Sequence, residues 1–377
     1  MRERFQTEGR FRPGDLLRRN AVPILFLFMC VLGVLVSGQN IRYIAHELVS
    51  RLARNWFLVL SLIIPVTAGL GLNFAIVLGA MAGQVGLIVA THYKIPGLLG
   101  LAVAVILSLP IAVLLGMSAG HVLNQARGRE MITSMMLGFF ANGLYQLVFL
   151  FMVGTVIPLN NPEIMLDSGV GLRGTVELKY CKYALDNLLK VRVLGVNIPV
   201  ATFAVVAALC LGIRWLYKTK LGQELRAVGQ DMAVASVAGI NVARTRIIAM
   251  VMSTVLAAIG QVIFLQNMGV INTFNSHEQI GTVAIASILV GGASVTSATV
   301  GHALIGTLLF QLLFIVSPSA GQRLMGNAQV GEFFRVFIGY GIIAVALLIH
   351  SWERKASLER ASRQPAVKGE AKVAGSP

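Results

Sequence analysis

From Trp56 to Tyr93 the chain runs 38 residues without an Asp, Glu, Lys or Arg. A bilayer's hydrocarbon core takes ~20 apolar residues per helix, so this run is too long for one ordinary span and fits two. Pro65, Gly69, Gly71 and Asn73 supply the break between them. Only 12% of the residues are charged and 56% are hydrophobic, against roughly 25% charged in soluble domains. Mean hydropathy is +0.77. The chain therefore reads as an all-α, polytopic membrane protein.

Other apolar runs set the remaining spans. The first is Ala21 to Gly38, and Ile41 to Asn55, with Arg42, Arg51 and Arg54 among apolar residues, reads as an interfacial amphipathic helix. Further spans are expected at Pro96–Met117, Met131–Val156, Val200–Tyr217, Ile247–Leu265, Ile280–Val290, Val300–Ile315 and Phe333–His350. That gives about ten transmembrane helices over residues 21–350. The polar tail 1–20 precedes them and a basic, partly disordered tail 351–377 follows. Residues 1–20 lack the apolar core and small-residue site of a cleavable signal.

Ten spans put both termini on one side. That side holds 20 of the 31 lysines and arginines, including those of the tails and of Lys218–Arg246, and the positive-inside rule assigns it to the cytoplasm. The net charge of +15 is thus read as topology and lipid contact rather than nucleic-acid binding. Cys30 and Cys210 lie in apolar runs and Cys181 has no obvious partner, so neither a disulfide framework nor metal spacing is expected.

All sixteen acids fall in tails, loops or span edges, Glu278 among the last. Gradient-driven transporters usually bury an ionisable group, and none is expected at mid-bilayer here. No Walker-type phosphate loop and no hydrolase arrangement appears. A many-span chain without an internal engine should take its energy from outside.

The segment Lys218–Arg246, KTKLGQELRAVGQDMAVASVAGINVARTR, offers the docking point. Gln223 to Val237 is rich in helix formers, and Gly239 stands where a left-handed residue would end that helix. Gly222, Arg226, Ala227, Gly229, Ala235, Gly239 and Ile240 resemble the cytoplasmic coupling segment of ABC importer permeases of the ribose, branched-chain amino-acid and nucleoside type. Asp231 stands where that family usually has Asn. The glycines from Gly291 to Gly301 resemble the family's glycine-rich segment. They are expected to permit close helix crossing or a re-entrant turn.

What the resemblance implies is a bacterial inner-membrane permease subunit that does no bond chemistry. Two cytoplasmic ATPase subunits would dock on the coupling helix and carry the ATP and Mg. This chain would bind no cofactor and no metal. Further implied partners are a second permease copy or homologue, a periplasmic or lipid-anchored substrate-binding protein, and membrane lipid. Glu224 and Arg226 would fix register at the rim, Gln230 and Asp231 belong to the same coupling segment, and the small residues would seat the helix in a groove of the ATPase.

The translocation path should be lined by uncharged polar and aromatic side chains. The candidates are Asn73, Phe74 and Gln84 in the third span, Asn142, Tyr145 and Gln146 in the fifth, and Gln261 in the seventh. Asn142 and Gln146 share a helix face, and Asn73 follows the helix break. Such a lining suits a small neutral polar solute. GLGLNFAIVLGAMAGQ lacks the Asp of the ribose-type signature and looks nearer to nucleoside or simple-sugar permeases, with branched-chain amino acids a further class. The alternative is a facilitator or channel acting without an ATPase, its basic segment binding lipid.

Overall fold

A computed structural model describes residues 21–193, 195–337, 340, 341, 343–345 and 348 of the chain. The tails 1–20 and 351–377 and part of the expected tenth span lie outside the described residues. The described chain is a helical bundle. The long helices are α1 (Ala21–Ser37), α2 (Ile41–Ser61), α4 (Ile76–His92), α5 (Gly97–Gln125), α6 (Glu130–Leu147), α7 (Val200–Leu216), α10 (Val242–Met268), α11 (Glu278–Val290) and α12 (Val300–Met325). Three short helices join them: α3 (Ile63–Thr67), α8 (Lys220–Gln230) and α9 (Met232–Val237). Residues 328–337 are helical again. Among the described residues, five helices are long and apolar enough to cross a membrane, or six if the bent pair α7–α8 counts as one.

The centre is a trio, α4, α5 and α10, held close by small residues at four-residue spacing, the usual device where lipid gives no hydrophobic drive to helix association. A Cβ on Gly79 or Gly83 of α4 would lie 2.3 or 2.4 Å from the carbonyl oxygens of Thr254 or Ala258 on α10. Gly86 approaches Ala104 of α5 in the same way, and Gly116 and Gly120 of α5 face α10. Helices α2 and α12 pack outside this trio, joined by the Trp56 indole N–H donating to the Leu304 carbonyl at 3.1 Å. The glycine-rich segment crosses closely, as expected: Gly291 meets the backbone of His302 and Gly306. Gly292 turns the chain at φ +89°.

The interfacial helix expected at Ile41–Asn55 is instead the first half of a helical stretch, running from Ile41 through α3 to Thr67, that is long and apolar enough to cross a membrane. Its amphipathic pattern faces protein, not headgroups: Ile44, Leu52, Ala53 and Asn55 are buried. Its cations find partners inside the fold. Arg51 pairs with Glu47 at 2.8 Å, and Arg54 donates to the Asn267 side-chain oxygen at 3.2 Å. The break expected near Pro65–Asn73 is present, with Gly69 and Gly71 at positive φ.

The two ends of the bundle differ. One carries α8 and α9. The other carries the loop 153–199, which holds strand β1 (Thr175–Glu177) and the β2–β3 hairpin (Lys190–Val193, Val196–Pro199). Strand β1 pairs antiparallel with β4 (Val270–Asn272), Val176 opposite Ile271. Asp186 of the loop accepts from Thr202 of α7 at 2.5 Å and from Asn267 of α10 at 2.6 Å, which fixes the loop to the bundle.

Candidate functional site

The basic segment is not one helix from Gln223 to Val237. Asp231 takes an extended backbone and its carboxylate accepts from the amides of Ala233 and Val234 at 2.8 and 3.1 Å, capping α9 as α8 ends. A cap at this position explains why Asp can stand where the resembling family has Asn, since either side chain accepts those donors. Gly239 ends α9 at φ +82° as expected. Its amide donates to Ser236, and that of Ile240 to Ala235, the paired closure of a glycine-terminated helix.

The small residues divide by face. Gly222 and Gly229 turn inward: a Cβ on them would lie 2.1 Å from the Leu216 oxygen and 2.0 Å from the Thr67 oxygen. They seat α8 on the chain's own helices. Ala235 is buried with Val228 and Val242, and Ala227 and Ile240 pack against that cluster. The outward face is Gln223, Arg226, Gln230, Val234 and Val237, with Val237 91% exposed. Arg226 lies over the Tyr217 ring at 4.5 Å, and Glu224 faces Lys220 at 3.8 Å.

From this end a cavity of about 910 Å³ runs between α4, α6, α11 and the helical residues Tyr340, Ile343 and Ala344. Gly69, Leu70 and Gly71 open it, Arg129, Glu130 and Met131 line one wall, and Phe74, Phe139, Asn142, Glu278 and Thr282 lie along it. Met135 is on the wall too. Glu130 forms a 2.7 Å ion pair with Arg246, whose side chain is fully buried and also reaches the Met232 sulfur of α9 at 3.8 Å.

At the deep end four elements bring polar side chains together. The Gln84 amide nitrogen donates to the carbonyls of Asn272 and Thr273 at 3.2 and 3.0 Å. Its oxygen faces His277 Nδ1 at 3.0 Å, while His277 Nε2 faces the Asn142 oxygen at 2.8 Å. The Asn142 amide nitrogen donates to Glu278, and Gln146 donates to the Asn142 oxygen at 3.4 Å. Tyr145 packs its ring on His277 at 4.7 Å.

Four of the expected path residues, Gln84, Asn142, Tyr145 and Gln146, thus form one cluster, and Phe74 lies on the cavity wall. Asn73 stays apart: its oxygen caps α4 through the Ala75 amide at 3.0 Å. Gln261 is buried in α10 against Gly83, away from the cluster. His277 and Glu278 were not among the sequence candidates. Helix α11 has 13 residues, about 20 Å of rise, against a hydrocarbon core of ~30 Å. Glu278, the exposed first residue of this helix, lies on the cavity wall, so the expectation of an uncharged lining does not hold there. The shortness of the apolar run Ile280–Val290 was the available signal. Among the described residues no cluster of metal-ligating side chains occurs.

Residues 47–346 match the family model described as branched-chain amino acid transport system / permease component. The chain is 24% identical over 306 residues to a fructose import permease protein of Bifidobacterium longum, covering 76% of this chain and 79% of that one. It is 26% identical over 287 residues to a nucleoside ABC transporter permease protein of Lactococcus lactis, covering 73% and 72%. A xylose transport system permease protein of Haemophilus influenzae is 29% identical over 161 residues, covering 43% of this chain and 40% of its own length. No solved structure matches.

Proposed function

Because the chain belongs to the family of branched-chain amino acid transport system permease components, a family of membrane transport subunits rather than catalytic enzymes, we propose that it is the membrane-spanning permease of an ATP-driven importer. Its cargo is a small neutral polar solute, a simple sugar or a nucleoside. Two ATPase subunits, binding ATP and Mg, dock on α8 and α9 from the cytoplasm. A second permease copy or homologue completes the pore, and a periplasmic or lipid-anchored binding protein delivers the solute. Both termini are cytoplasmic in this reading.

The observation that carries it is the division of labour in the basic segment. One face is locked to the bundle by Gly222 and Gly229, and the other leaves Gln223, Arg226, Val234 and Val237 open. A lever needs both a firm seat and a free face. The firm seat is on the Thr67–Gly69 turn, which opens the cavity. A push on α8 then bears on the mouth of the path and moves α4 and α6 between two arrangements. Path residues are Phe74, Gln84, Asn142, Tyr145 and Gln146, with Asn73 and Gln261 at its margins.

Reconstitution decides between this reading and a facilitator. The chain with its companion ATPase and binding protein should take up solute only when ATP is hydrolysed, and the chain alone in liposomes should be inert. Nucleotide-independent flux through the chain alone would establish the facilitator instead.

A further inference from the structure

Arg246 is the largest side chain that is completely buried among the described residues, and a cation so placed is costly unless an anion meets it. Its Nη2 donates to Glu130 at 2.7 Å, and its Nη1 faces the Met232 sulfur at 3.8 Å. Its Nε has no partner among the described residues. Glu130 therefore supplies nearly all of the polar support this guanidinium has. The two partners stand on different elements. Met232 is the first residue of α9, and Glu130 is the first residue of α6 and lies on the cavity wall. One buried cation near the start of α10 thus joins the exposed basic segment to the wall of the cavity.

We propose that Arg246 is a positioning residue whose pair with Glu130 pins the inner end of α6 to the α8–α9 segment, so that a displacement of that segment is carried into the cavity wall. This rests on the permease reading above and adds a second route beside the Thr67–Gly69 turn. Parting α6 from α10 would strand a buried charge, whereas moving the joined ends as one body keeps the pair intact. Both routes start from the same place. The Met232 Cε that adjoins Arg246 would also lie 3.6 Å from a Cβ on Gly69.

The rest of α6 is suited to follow its pinned end. Of its residues only Ser134, Gly138, Asn142 and Tyr145 are buried, whereas α10 is buried along most of its length. Gly128 turns the chain at φ +82° just before α6. A π-helical turn, Val148–Met152, follows it, a winding at which helices bend. Next to the pin, Met131 reaches the cavity mouth: a Cβ on Gly71 would lie 3.2 Å from Met131 and 3.4 Å from Val295. A shift of Glu130 therefore changes the gap between Met131, Gly71 and Val295.

Two measurements test the pin. In the full chain alone in bilayers, nitroxides are placed by Val237→Cys on α9 and Met136→Cys on α6, both exposed positions. The labelled wild type gives the background of the native cysteines. The distance distribution should be narrow, and should broaden when Arg246→Met and Glu130→Gln are added together, a change that replaces the pair without stranding a charge. A distribution that stays narrow overturns the pin. The second measurement uses the chain with its ATPase and binding protein, and reads uptake of labelled xylose, ribose and uridine per ATP hydrolysed. The Arg246→Met, Glu130→Gln variant should keep hydrolysing ATP while uptake per ATP falls by about tenfold, within the usual range of coupling between two sites. Glu130→Cys with Arg246→Cys, bridged by a bifunctional thiol reagent, should recover most of that loss. Unchanged uptake per ATP in the first variant, or a bridge that blocks uptake, overturns the transmitting role. If the wild-type complex takes up no probe with ATP, the permease reading fails, and the distance measurement still decides the pin.

Discussion

A methyl group on Gly229 would meet the Thr67 carbonyl oxygen at 2.0 Å, whereas one on Gly239 meets nothing within 4 Å but sits at φ +82°. The two glycines are needed for different reasons, and substitution separates them. Gly229→Ala has to push two backbones apart, at a cost of about 1–3 kcal/mol. Gly239→Ala carries only the left-handed strain of about 1 kcal/mol. Thermal unfolding of the purified protein should therefore show the larger drop for Gly229→Ala, and equal drops would remove the close seat argued for α8. Asp231 gives a second residue-scale test. Asp231→Asn should unfold at the wild-type temperature, and Asp231→Ala should lose about 1 kcal/mol with its cap. Gly239 was readable in sequence because a left-handed helix end has a local signature. The inward turn of Gly229 was not, because a small residue spaced along a helix looks the same whether it faces its own chain or a partner.

Among elements, the buried Arg246–Glu130 pair ties α10 to α6 beside α9. Removing one member strands the other charge. Arg246→Met should destabilise the protein by about 3–5 kcal/mol, and Glu130→Gln in addition should restore much of it, because breaking a buried pair costs more than replacing it. A double-mutant cycle by chemical unfolding measures the coupling. Additive losses would mean the pair does not join the two helices. The same scale shows why Ile41–Asn55 misleads a reader of sequence. Arginines among apolar residues describe a headgroup-facing helix and also one whose cations are met by Glu47 and Asn267. For Arg54 that depends on Asn267, 213 positions away in the chain.

Across the whole molecule, the proposed lever predicts a separation of folding from coupling. Arg226 is exposed, over the Tyr217 ring, so Arg226→Glu should insert and fold as the wild type does. In proteoliposomes holding the full set of subunits it should leave ATP hydrolysis running while uptake falls about tenfold or more, the scale of losing a charge contact. Full uptake would exclude that side chain from docking. The sequence by itself determined the membrane class, the order of the helices, the break at Pro65–Asn73 and the polar, glycine-ended segment before α10, because hydropathy, charge and turn chemistry act over a few residues. Only the tertiary structure decided that α8 is seated by its glycines, that Ile41 begins a helix long enough to cross a membrane, and that Gln84, Asn142, His277 and Glu278 meet. These four side chains come from separate elements, and hydrogen-bond complementarity between distant segments leaves no periodic trace in any one of them.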